Sequence, residues 1–99
     1  MNALDFIPAK FERGRLLTTR GVATLLQTNT AAHRTVARCL VRHLSGDCGE
    51  MCEDDVLANL RAMLKGERIL SSYETPVGKL WVITEADRSA TTVLLPEEY

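Results

Sequence analysis

No apolar run in this sequence approaches the roughly 20 residues needed to span a bilayer. Its start, Met1-Asn2-Ala3-Leu4-Asp5, lacks the basic residues and apolar stretch of a signal peptide, so a cytoplasmic location is expected. Neither sign of charge is in excess. Twelve basic residues meet 13 acidic ones, a net charge of -1, unlike the strongly basic chains common among nucleic-acid binders. Internal repeats, low-complexity stretches and Gly/Ser linkers are also missing. The 99 residues, 45% hydrophobic and 25% charged, therefore make one small globular domain with no room for a second core.

Cysteine is sparse and odd in number, Cys39, Cys48 and Cys52, so no disulfide framework is expected. With His43 these residues form a Cys-x3-His-x4-Cys-x3-Cys run, and ligands at i and i+4 on a helix can share a metal ion. The tight Cys-x2-Cys knuckles of structural zinc are absent, however. The expectation is inert thiols acting as small apolar fillers, with no metal and no cofactor. The sequence also has no P-loop, no Gly-x-Gly-x-x-Gly and no nucleophile elbow.

The charge that is present is unevenly spread. Residues 1–45 carry seven basic and two acidic residues, and residues 46–99 carry five basic and eleven acidic. The domain is thus expected to be a dipole, a layout that suits oriented docking to a partner. Residues 1–14 have no clear period and contain Pro8 and Gly14, so they read as an irregular arm before a domain over 15–99. A short strand over 15–19 and a short helix over 20–27 follow. Thr28-Asn29-Thr30 supplies N-cap residues for a helix over 31–44. In that helix Val36, Ala37, Leu40, Val41 and Leu44 are expected to face the core, with Arg34, Arg38 and Arg42 opposite.

Ser45-Gly46-Asp47 ends that helix. A third is expected over 52–65, with Glu53, Asp54 and Asp55 in its first turn, where the helix dipole favours acids. Gly66 stops it. Strands are expected over 68–74, 80–84 and 90–95, the first two joined by the turn Thr75-Pro76-Val77-Gly78. Helices followed by strands imply an α+β fold: about three helices on one face of a four-stranded antiparallel sheet.

Five groups of residues carry candidate chemistry. Arg34, Arg38 and Arg42 form a basic stripe, and Glu53, Asp54 and Asp55 an acidic patch; both are candidate partner-binding surfaces. Residues 17–26 with 34–36 look like the start of a helix-turn-helix, but the connection over 27–33 reads as too long for a tight turn. His43, near a helix end and close to Asp47, is either an acid or base or a residue at the core edge. The polar turn with Thr84, Glu85, Asp87, Arg88, Ser89 and Thr91 either clamps a phosphate or carboxylate through Arg88 or satisfies itself.

Gly46-Asp47 with Gly49, then Asn59, Gly66, Ser71 and Tyr73, then Trp81 to Ser89 and Thr91 to Pro96 resemble a family of small bacterial proteins encoded on plasmids and other mobile elements. The resemblance covers about residues 15–99 and is most specific in the last third. Cys48 departs from it, standing where a Trp is expected. It implies no activity, but a mobile-element context in which small proteins often bind and antagonise host defence systems. Residues 67–72 and 81–87 have a fainter likeness to the catalytic hairpin of the barnase–EndoU–colicin–RelE group. That likeness matches Arg68 to a phosphate-binding arginine; a ribonuclease would use it with Arg88 and Thr92, and with His43, from the helical layer, as the only substitute proton carrier. Arg88, however, falls near a histidine position and cannot trade protons.

The resulting expectation is a non-enzymatic accessory protein that binds a protein partner, such as a nucleic-acid-targeting defence complex of the type antagonised by anti-CRISPR or anti-restriction proteins. A ribonuclease is the alternative, a DNA-binding regulator the weaker one, and no membrane is involved. Oligomeric state is left open.

Overall fold

The computed structural model describes residues 11–50 and 53–99. Residues 11–14 have no regular structure, and most of the expected N-terminal arm, with Cys52, lies outside the described residues. The chain runs β1 (Arg15–Thr18), α1 (Arg20–Thr28), α2 (Thr30–Leu44), α3 (Glu53–Lys65), β2 (Ile69–Thr75), β3 (Gly78–Thr84) and β4 (Ala90–Leu94). A short 3-10 turn, Pro96–Glu98, follows. The fold is α+β, three helices with a four-stranded sheet ordered β1-β4-β3-β2.

The sheet is mixed, which corrects the expectation of a wholly antiparallel one. Hairpins force β2 against β3 and β3 against β4 to be antiparallel, with Ser71 opposite Val82 and Val82 opposite Val93. No hairpin constrains β1. The whole helical layer lies between it and β4, long enough for a crossover, and β1 pairs parallel, Leu17 opposite Thr92.

Strand alternation assigns the two faces. Ser71 and Tyr73, Leu80 to Thr84 in steps of two, and Thr91 with Val93 share the face that α1 and α2 cover. There Val22, Val36, Cys39 and Leu40 pack against Tyr73, Leu80, Val82 and Val93. On α2 the buried face is Ala32, Val36, Cys39, Leu40, His43 and Leu44. The expected Ala37 and Val41 are exposed instead. The period was correct, but the face is rotated because Cys39 and His43 go inward. The helices α1 and α2 are separated by Asn29 alone, whose side chain accepts from the Ala31 amide at 3.0 Å. The expected long connection over 27–33 is therefore helical almost throughout.

The third helix lies along the outer edge of β2 rather than over the sheet face. Buried Asn59 accepts from the Leu70 amide at 3.1 Å, and its amide nitrogen donates to the Leu70 carbonyl. Next along the edge, Ser72 donates to the Cys48 carbonyl at 3.0 Å, and its own carbonyl accepts from Glu50 at 2.7 Å. The Glu50 carboxylate takes the Glu74 amide at 2.8 Å. An edge that would invite a foreign strand is thus closed by the chain itself.

Gly49 sits in this edge cover at φ +74°, and a Cβ there would lie 2.0 Å from the Ser72 carbonyl oxygen. Gly66, at φ +72°, has open space around it. Gly66→Ala should cost about 1 kcal/mol, the left-handed penalty alone. Gly49→Ala should cost at least about 3 kcal/mol, because backbone must also move. Urea unfolding of the two variants measures the difference.

Candidate functional site

The most organised polar cluster is internal. His43 is 1% exposed and bridges two strands: Nδ1 lies 2.6 Å from Ser71 Oγ and Nε2 2.9 Å from Thr84 Oγ1. Thr84 Oγ1 lies 2.8 Å from Thr91 Oγ1, and Thr91 donates to the Arg13 carbonyl at 2.7 Å. A carbonyl only accepts, so the direction of every bond follows. Thr91 spends its proton on Arg13 and must accept from Thr84. Thr84 then accepts from His43 Nε2–H. That leaves Nδ1 bare, and it accepts from Ser71. The hydrogen-bond chain therefore assigns the Nε2–H tautomer of a neutral imidazole.

Burial pushes the His43 pKa down to about 4, and Phe11 closes over the ring edge-on at 5.3 Å between centroids. A bare nitrogen accepting from a serine has the form of a general base and nucleophile, but Ser71 is 1% exposed and has no room for a substrate. Of the two readings of His43, this geometry fits the residue packed at the core: a neutral link between α2 and the sheet. Thr84 and Thr91, expected to donate to a ligand, are fully buried and spend their protons in this chain.

Arg88 is also committed. Its Nη1 donates to the Glu67 carbonyl at 2.6 Å and the Glu85 carbonyl at 3.1 Å, and its Nη2 to Ala62 at 3.2 Å. Ala62 lies in the last turn of α3 and Glu67 just past it, where a cation is favoured by the helix dipole. Arg88 holds φ +60°. The rest of the turn closes on itself, with the Ser89 amide on Asp87 Oδ1 at 2.9 Å and the Arg88 amide on the Glu85 carbonyl at 2.9 Å. Of the two readings of this turn, these bonds fit the one in which it satisfies itself.

Arg68 and Arg88 both reach Glu85, through its carboxylate and its carbonyl, but His43 and Thr92 are on opposite faces of the sheet. Arg68 donates to the Tyr99 hydroxyl at 2.9 Å and pairs with Glu85 at 3.6 Å, while Tyr99 packs on Trp81 at 5.4 Å. Trp81 and Thr92 lie on the sheet face opposite His43, as their register shows. Among the described residues no group of three or more His, Cys, Asp or Glu is placed to hold a metal ion. Cys39 is buried, which raises its thiol pKa, and buried Cys48 accepts from Asn59 Nδ2 at 3.1 Å. Neither do the described residues include a helix long and apolar enough to cross a membrane.

The basic stripe, by contrast, faces outward. Arg42 is tied down: it pairs with Asp47 at 2.7 Å and lies 4.6 Å over the Tyr73 ring. That hydrogen bond holds the Asp47 carboxyl below its usual range. Arg34 and Arg38 are exposed and, among the described residues, have no hydrogen bond or ion pair. Both line a cleft of about 470 Å³ with Thr30 and Thr35, and Arg38 and Thr35 also line an adjoining one of about 180 Å³ with Glu74 and Pro76. Of the acidic patch, Asp54 and Asp55 are exposed on the first turn of α3, and Glu53 opens that helix.

Sequence reasoning missed Asn59, Ser71 and Tyr73 as structural anchors. A signal was available: Ser71, Thr84 and Thr91 are polar residues at inward strand positions, which demand a buried partner. Comparison of the chain with protein-family models, curated proteins and solved structures gives no match.

Two predictions follow from this geometry. A His43 pKa lowered from 6.5 to about 4 means that the unfolded state binds the extra proton first. Stability is therefore full above pH 6.5 and falls by roughly 3 kcal/mol as pH drops to 4. His43→Gln should flatten the profile in that window, read by urea unfolding at each pH. For Arg88, alanine loses the carbonyl bonds and keeps the left-handed strain, whereas glycine loses only the bonds. Arg88→Ala should be less stable than Arg88→Gly by about 1 kcal/mol, and both less stable than the parent.

Proposed function

We propose that the chain is a binding module that seats an acidic protein surface on the Arg34–Arg38 flank of α2. One observation carries this reading. The other candidate cations are engaged, Arg42 with Asp47, Arg68 with Glu85 and Arg88 with backbone carbonyls, whereas Arg34 and Arg38 have no partner among the described residues; both line the larger cleft, and Arg38 the adjoining one. Arginine favours carboxylate recognition because its planar fork matches a carboxylate. Complementary charge also speeds and orients encounter.

The resemblance of the last third to mobile-element proteins supports reading the partner as a host defence complex and the protein as its inhibitor. The ribonuclease reading has less support, since its only proton-trading residue is the buried His43. The DNA-binding reading keeps one favourable observation: α1 and α2 meet through a single residue, with Arg34 and Arg38 exposed on the outer flank of the second helix.

A pull-down from a bacterial host, with bound protein and bound nucleic acid both quantified, separates these readings. A stoichiometric protein partner is expected, with capture reduced at least about tenfold by Arg34→Glu with Arg38→Glu, a loss of about 1.4 kcal/mol. Nucleic acid as the only retained species, falling steeply with salt, would overturn the protein-binding reading in favour of the DNA regulator. Shortened RNA would favour the ribonuclease.

A further inference from the structure

The acidic-to-basic helix α3 exposes an apolar stripe. Leu57, Leu60 and Leu64 are 53%, 49% and 88% exposed, while Asn59 and Ala62 anchor the helix from its other side. Positions i, i+3 and i+7 stack on one face, so the three leucines form a continuous ridge. A ridge of this kind on a small domain marks an interaction surface.

The charges beside the ridge say what covers it. Asp54, Arg61 and Lys65 are all exposed and stand at i, i+7 and i+11, so they share one flank of the ridge. The acid is at the N-terminal end and the two bases are at the C-terminal end. Asp54 and Lys65 are about 16 Å apart along the helix, too far to pair with each other. A two-fold axis near Leu60 turns a second copy antiparallel and brings like flanks together. Leu57 then meets Leu64 of the other copy, and Asp54 comes within one helical turn of its Lys65. The helix dipoles also oppose favourably in that arrangement. We infer that α3 is a self-association surface, and that the protein forms an antiparallel two-fold dimer through Leu57, Leu60 and Leu64. This surface is separate from the arginine flank of α2.

Sedimentation velocity on the full chain tests the inference. A dimer dissociating in the micromolar range is expected, about 1 to 100 μM. Leu60→Glu, at an exposed position, should raise the dissociation constant at least about 100-fold while the far-ultraviolet circular dichroism is unchanged. Asp54→Lys and Lys65→Asp should each weaken the dimer about fivefold, and the double exchange should restore it to within about twofold. Only a pairing between copies gives that restoration, and both exchanges lie on the helix surface. A monomer at up to about 1 mM would overturn the inference, whether residues 1–10 or a foreign protein covers the ridge. A dimer indifferent to Leu60→Glu, or a double exchange no better than its single variants combined, would overturn it equally.

Discussion

The buried hydrogen-bond chain Ser71–His43–Thr84–Thr91–Arg13 ties together parts of the molecule that are far apart in sequence. It joins α2 to β2, β3 and β4, and it ends on the segment that leads into β1. Each member is buried or half-buried, so loss of any one leaves another with an unmet donor or acceptor, at about 1–3 kcal/mol. Apolar contacts such as Leu40 and Leu80 would tolerate some sliding of helix over sheet. A directional chain does not, and it fixes the register in which the aliphatic core then packs.

The same logic governs the periphery, where side chains complete backbone that regular structure leaves open. Asn59 supplies both a donor and an acceptor to Leu70, as a neighbouring strand would. Arg88 takes the carbonyls at the end of α3. Glu98, almost at the end of the sequence, takes the Gly21 amide at 2.9 Å and the Thr19 hydroxyl, capping the start of α1 where Thr19 makes no side-chain cap of its own. Those bonds hold the Glu98 carboxyl below its usual range. A domain this small buries a limited apolar area, and such polar stitching supplies order that a larger core would otherwise provide.

Local features of this fold were legible in the sequence. Gly66 and Pro96 stop their elements, and the turn Thr75-Pro76-Val77-Gly78 marks the β2–β3 hairpin, because turn chemistry acts within a few residues. The direction of β1 was not legible, since no short connection constrains it. The inward turn of His43 was hidden for a related reason: its partners, Ser71 and Thr84, are 28 and 41 residues away. Arg88 and Thr84 have the residue types of a ligand clamp, yet the same donor capacity is spent on carbonyls and hydroxyls of the fold. Type and spacing show what a side chain can donate, and only the tertiary arrangement shows what has already accepted.

That distinction divides the molecule's polar groups into two populations. Members of the first, His43, Ser71, Thr84, Thr91, Asn59 and Arg88, have their capacity met internally, so a ligand would have to displace a bond whose loss leaves another group unmet. The second, Arg34 and Arg38 on α2 with Asp54, Arg61 and Lys65 on α3, lies on helix surfaces that the sheet does not need. Its charges are exposed, and on α3 they flank leucines that the core also leaves out. Burial of those leucines by a partner would add apolar contact to charge pairing, the combination that gives an interface both affinity and orientation. In the two proposals made above, recognition falls on these two outer helical faces, and the interior bonds hold those faces in position.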